Sequence, residues 1–394
     1  MHLAAQLGLL MFVATGVAML CARARLPYTV GLVIAGVLLD WLPLGLTLQL
    51  SRELVFSVLL PPLVFEAALR LPWPALRRDL PVIALLASVG VLLAAALTAA
   101  GMHWLAGWPT AGAILFGVLI AATDPVAVIA IFREARVGGR LALLVESESL
   151  LNDGTAAVLF TAGLGLAQGA PGVLGQLPLL LLLGVAGGIG CGWLVGNAAV
   201  LFAGRSGDPL VAITLATLAA YGSFHLAEQL RGSGVLAAMV AGLVVGNSGE
   251  RLPLGRAGRA ALESFWDYAA FLANSLIFLL IGRSLAQQPL AELWWPALLA
   301  IALVTAGRGL AVYPLCALFA RGPLAVGRTH QHVLFWGGLR GALALALALG
   351  LPEDLPGRGP IVAVTYAVVA FSVFAQGLTM GSLLRRLGEL RTVR

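Results

Sequence analysis

Apolar stretches of about 20 residues follow one another along almost the whole chain, and a segment of that length crosses a bilayer as a helix. Read on that rule, the sequence gives about thirteen spans, near 3–22, 28–46, 52–70, 80–104, 110–132, 140–167, 174–203, 208–228, 232–247, 262–283, 291–320, 330–350 and 360–386. Lipid offers no partner to backbone N–H and C=O groups, so segments this long satisfy them internally, as helix. Breakers fall in the gaps: Arg25-Leu26-Pro27, Trp108-Pro109, Gly169 to Gly172, Gly207-Asp208-Pro209 and Leu351-Pro352.

Composition agrees. The 394 residues are 60% hydrophobic and 11% charged, whereas a soluble domain is about 25% charged. The expected fold is an all-α polytopic membrane protein. The formal charge of +6 does not point to nucleic acid, because the basic residues punctuate apolar runs and form no patch or tail. The first run, Leu3 to Leu20, lacks a basic lead and passes straight into further spans, so it reads as the first span and not as a cleaved signal. Cys21, Cys191 and Cys316 have no metal-like spacing, the five histidines are scattered, and no cofactor is expected.

All 24 basic residues are arginine. Loops on one side hold eighteen of them and loops on the other hold four (Arg52, Arg231, Arg283 and Arg358), with Arg308 and Arg340 inside spans. The arginine-rich side is expected to be cytoplasmic, which puts the N-terminus outside and the C-terminus inside a plasma (inner) membrane. About thirteen spans also divide into two inverted six-helix repeats and a linker helix, a common transporter plan with discontinuous helices crossing near the midplane. The seventh span carries Gly184, Gly188, Gly192 and Gly196, a stripe that lets another helix approach closely.

Arginine in loops is ordinary, but carboxylate in hydrocarbon costs ~2.5–3.5 kcal/mol at a helix centre. Glu66 lies in PPLVFEAAL, Asp124 in AATDPVAVI, and Glu146, Glu148 and Asp153 in ESESLLNDGTA. A bare carboxylate there is relieved either by a proton or by a metal cation, and competition for one carboxylate is the core of exchange. Residues four apart share a helix face, so Glu148 stands beside Asn152 and Ser149 beside Asp153. Such oxygen ligands suit hard cations like Na⁺ or Li⁺. Pro125 biases Asp124 away from helix, and a break there would free carbonyls such as that of Thr123 to line a cavity. Gly337, Gly338 and Gly341 could loosen the twelfth span around Arg340 in the same way. Arg308 is expected to pair with Glu148. Glu66 also admits reading as a hydrogen-bonded packing residue, and Glu146 as an interfacial one.

These strings resemble the NhaP-type sodium/proton antiporters of the cation–proton antiporter superfamily. The matches are FEAALR after Pro61-Pro62, ATDPVAV, ESLLNDGTA, and WGGLRGALALALAL followed by Leu351-Pro352. The resemblance implies one transmembrane transporter unit over 1–394 that forms a homodimer. Residues 1–79 plus 174–283 would supply interface helices, and 80–173 plus 291–386 a moving core. It implies Asp153 as the principal ion-binding acid, surrounded by Asp124, Ser149, the Thr123 carbonyl and Glu66. Asn152 would stand where electrogenic relatives have a second aspartate. Glu148 would belong to a supporting polar network, with Arg308 and Arg340 as the family's membrane arginines.

The residues leave ion radius open, so a K⁺/H⁺ or mixed-cation exchanger is the alternative within transport. A cation channel is the remoter one, since channels present rings of ligands from symmetric subunits. An enzyme would want a nucleophile with its base or a histidine-rich metal set, and neither is visible.

Overall fold

The computed structural model describes residues 3–389 apart from 25, 44, 125–127, 130–131, 133–136 and 169–172. Pro125, Arg25, Arg133, Arg136, Arg391, Arg394 and the Gly169 to Gly172 breaker lie outside the described residues. Among the described residues the regular structure is helical, and eight helices are long and apolar enough to cross a membrane. The helices are α1 Leu3–Ala24, α2 Tyr28–Trp41, α3 Leu54–Leu69, α4 Trp73–Ala106, α5 Thr110–Leu119, α6 Arg140–Ala167 and α7 Val173–Ser206. They continue as α8 Pro209–Gln229, α9 Gly234–Gly246, α10 Gly255–Ala286, α11 Trp294–Ala317, α12 Arg328–Trp336, α13 Ala342–Leu349 and α14 Arg358–Arg386.

Several boundaries differ from the apolar pattern for local reasons. The span read over 28–46 stops at Trp41, because Pro43 forces Leu42 out of the helical region (φ −91, ψ 133). The helix read from residue 80 begins at Trp73, where Pro74 fits the first turn. It thereby takes Arg77 and Arg78 out of the loop and into helix. The tenth span likewise starts at Gly255 and carries Arg256 and Arg259 in its first turns. The span read over 330–350 is two helices, interrupted at 337–341.

The contacts divide the chain into two compact units. The first comprises Met1–Val55, Pro81–Asn152 and Ser275–Arg394; the second comprises Phe56–Leu80 and Asp153–Asn274. In the second unit the glycine stripe of α7 packs as its spacing suggests. A Cβ at Gly192 would overlap the Ala237 carbonyl of α9, and one at Gly188 would press on Ser233. On α9, Gly242 and Gly246 meet the α3 backbone at Phe65 and Leu69 in the same way. Phe65 and Trp266 stack with centroids 4.4 Å apart in the core of this unit.

In the first unit α4 lies between α5 and α11. Gly117 fits against Ala95 and Ala99, Gly307 against Ala94, and Gly101 against Leu303. The irregular stretch after α2 is held by Gln6, whose Oε1 accepts from Thr47 and Leu48 N–H at 2.9 Å each. Arg283 donates to the Leu46 and Leu48 carbonyls at 2.5 and 2.8 Å. Arg358 donates to the carbonyls of Leu349 and Leu351 at 3.3 and 3.0 Å. Two arginines from the arginine-poor loops are thus engaged by backbone.

Candidate functional site

Two interrupted helices meet inside the first unit. Helix α5 stops at Leu119 and the chain from 122 to 124 is non-helical. Helix α12 stops at Trp336, and α13 resumes only at Ala342. Asp124 N–H donates to the Leu339 carbonyl at 2.7 Å. Arg340 Nη1 donates to the carbonyls of Ala121 and Ala122 at 2.6 and 2.9 Å. Each break therefore satisfies backbone groups that the other's interruption frees, as buried polar backbone requires.

Charge is matched as well. A helix carries about half a positive charge at its N-terminus and half a negative one at its C-terminus. The Asp124 carboxylate sits at the start of α13, with Ala342 N–H 3.4 Å from Oδ2. The Arg340 guanidinium sits on the carbonyls that follow α5. Glycine makes this approach possible: a Cβ at Gly341 would overlap the Asp124 carboxylate.

Helix α6 supplies the third wall. Ser149 Oγ donates to the Thr123 carbonyl at 2.5 Å. Asn152 Nδ2 donates to Thr123 Oγ1 at 2.5 Å, and its Oδ1 accepts from Thr123 N–H at 3.2 Å. Asn152 also donates to Glu148 Oε1 at 3.2 Å. Asn152 is fully buried, and Ser149 and Glu148 are each 2% exposed. Asp153 follows Asn152 on the same helix, one turn beyond Ser149, and is buried.

Arg308 of α11 meets Glu148 through two bonds, Nη1 to Oε1 at 2.7 Å and Nη2 to Oε2 at 2.8 Å. Its Nε and Nη2 also donate to the Leu334 carbonyl on α12 at 3.1 and 2.9 Å. This is the pair expected from the sequence, and it ties α6 to the half-helix that leads into the break. A Cβ at Gly338 would collide with the Arg308 guanidinium.

The first unit therefore brings together Thr123, Asp124, Glu148, Ser149, Asn152, Arg308 and Arg340. Glu66 belongs to the second unit, where it accepts from Arg70 Nε at 2.6 Å while Arg70 Nη2 bonds Asp267. Its spacing of four from Arg70 is the sequence signal of this pair. Sequence reasoning also passed over Asp79, 3% exposed at a span edge, and the buried pair Ser372 and Gln376 within α14. The last pair was legible as two polar residues at i, i+4 in an apolar run.

The arrangement offers a carbonyl, two hydroxyls, an amide and carboxylates from two segments, the Thr123–Asp124 break and α6. That donor set fits a small hard cation in transit better than a fixed soft metal.

The comparisons with known proteins point the same way. The family described as "Sodium/hydrogen exchanger, transmembrane" matches residues 8–386. The chain is 37% identical over 372 residues to the Na(+)/H(+) antiporter ApNhaP of Aphanothece halophytica, covering 92% of this chain and 70% of that protein. It is 33% identical over 392 residues to the Na(+)/H(+) antiporter NhaP of Pseudomonas aeruginosa, covering 92% of each. The solved structure of the sodium proton antiporter MjNhaP1 from Methanocaldococcus jannaschii has the same fold, with TM-score 0.77 and 21% identity over 98% of this chain and 99% of that one.

Proposed function

The chain belongs to the transmembrane sodium/hydrogen exchanger family, and on that premise we propose that it exchanges Na⁺ or Li⁺ for H⁺ across the membrane by alternating access. The observation that carries the reading is the junction of the Thr123–Asp124 break with Ser149 and Asn152, one residue before Asp153. Relatives named for sodium favour Na⁺ over the K⁺/H⁺ alternative.

Asp153 is the shared site. In a low-dielectric interior a bare carboxylate is costly, so the site crosses loaded, with either a proton or a cation. Asp124, Ser149 and the Thr123 carbonyl complete the cation's oxygen shell, with Glu66 as an accessory ligand. Glu148, Arg308 and Arg340 hold the shell in place. Asn152 adds no titrating group, so one proton returns for one cation and the cycle is electroneutral. The protein acts as a homodimer in the plasma (inner) membrane, N-terminus outside and C-terminus cytoplasmic, an orientation supported by the arginine alternation. Residues 80–173 plus 291–386 form the moving core, and 1–79 plus 174–283 the dimer-interface helices. The test is flux in proteoliposomes under an imposed pH gradient, comparing Li⁺, Na⁺ and K⁺. Saturable proton movement driven by Na⁺ or Li⁺ is expected; movement driven by K⁺ alone would overturn the ion assignment.

A further inference from the structure

Arg308 and Arg340 also border a small cavity of about 10 Å³, lined in addition by Thr305, Ser372 and Gln376 among apolar neighbours. That is about the room one water needs. Ser372 and Gln376 stand four apart in the wide π-turn of α14, Ser372–Gly377, and are 1% and 6% exposed. Turns of this kind occur often at functional sites.

The lining is chemically complementary. A guanidinium offers only donors, whereas hydroxyls and the glutamine amide offer acceptors. Thr305 Oγ1 already donates to the Ile301 carbonyl at 2.7 Å, which leaves its lone pairs for a partner. A water placed among them accepts from guanidinium and donates to oxygen, and a polar cavity of this size is where buried water is found.

We propose that this cavity is a hydration site for a single water, and that Gln376 and Ser372 act through it as positioning residues for Arg340. Arg340 holds the carbonyls of Ala121 and Ala122, immediately before Thr123 and Asp124. The water's partners therefore set where the cation-binding break lies, and ion affinity should feel them more than turnover does. The inference rests on the exchange reading above.

The experiment combines a density map of the unmodified full-length protein, fine enough to show ordered water, with Na⁺-dependent exchange in proteoliposomes for wild type, Gln376→Met and Ser372→Ala. A density peak between Arg340 and Gln376 is expected. The apparent KM for Na⁺ should rise roughly threefold to tenfold in the variants, as for loss of about one hydrogen bond, with maximal rate within about twofold of wild type. An empty cavity in the map, or wild-type KM in both variants, overturns the proposal, and the map decides if a variant fails to fold. Absence of Na⁺-dependent exchange in wild type would instead sink the exchange reading, and the map would still decide the hydration site.

Discussion

Arg308 donates to both carboxylate oxygens of Glu148, at 2.7 and 2.8 Å, and the two side chains are only 9% and 2% exposed. Because Arg308 also holds the Leu334 carbonyl, one ion pair joins α6, α11 and α12. Removing one member strands the other charge, a loss of ~3–5 kcal/mol for buried pairs. Glu148→Gln and Arg308→Met should each lower thermal stability, and the double variant should recover part of the loss. Additive losses in that cycle would refute the coupling.

Gly341 lies against Asp124 where the two breaks meet. A methyl group there would overlap the Asp124 carboxylate, and overpacking costs ~1–3 kcal/mol even where neighbours adjust. Gly341→Ala should therefore reduce exchange roughly tenfold or more, by displacing Asp124 from the start of α13. Gly359→Ala, where a Cβ meets nothing within 4 Å, serves as the control and should exchange like wild type. Equal activity in the two variants would contradict the packing argument.

Much of this site could be read from the sequence because carboxylates inside apolar runs have few explanations. Helix α6 occupies Arg140–Ala167, the bounds that its apolar run gave, and Glu148 and Asn152 meet across four residues as that spacing implies. The crossing of the two breaks was only half visible. Glycines and Pro125 marked weak helix, but that Asp124 would meet the start of α13 while Arg340 met the end of α5 depends on tertiary packing. Apolar periodicity also missed that α4 and α10 extend past the hydrocarbon length, since their arginine-bearing first turns carry no apolar signal.

Glu66 accepts from Arg70 in its own unit, so its two possible roles predict different kinetics. As an accessory ligand it should reveal itself in affinity: Glu66→Gln should raise the apparent KM for Na⁺ more than it lowers the maximal rate. An unchanged KM together with a thermal stability matching that of Arg70→Ala would assign Glu66 to the ion pair alone.

Exchange should not respond to membrane potential. Asn152 donates and accepts hydrogen bonds to Thr123 but cannot carry a proton through the cycle. Moving one net charge is worth ~2.3 kcal/mol per 100 mV, so an electrogenic cycle would accelerate plainly under a valinomycin-imposed, interior-negative potential. An unchanged rate is expected. A clear acceleration would mean that Glu148 or Asp124 also titrates during turnover.

The central claim is that one carboxylate, Asp153, carries cation and proton in turn. Asp153→Asn keeps the side chain's shape and removes its charge, so the protein should still insert and fold. The direct measurement is Na⁺-driven dissipation of a pH gradient in proteoliposomes holding equal amounts of wild type and Asp153→Asn. The account predicts saturable dissipation with wild type and none above empty vesicles with the variant. Substantial Na⁺-driven proton movement by folded Asp153→Asn would contradict it.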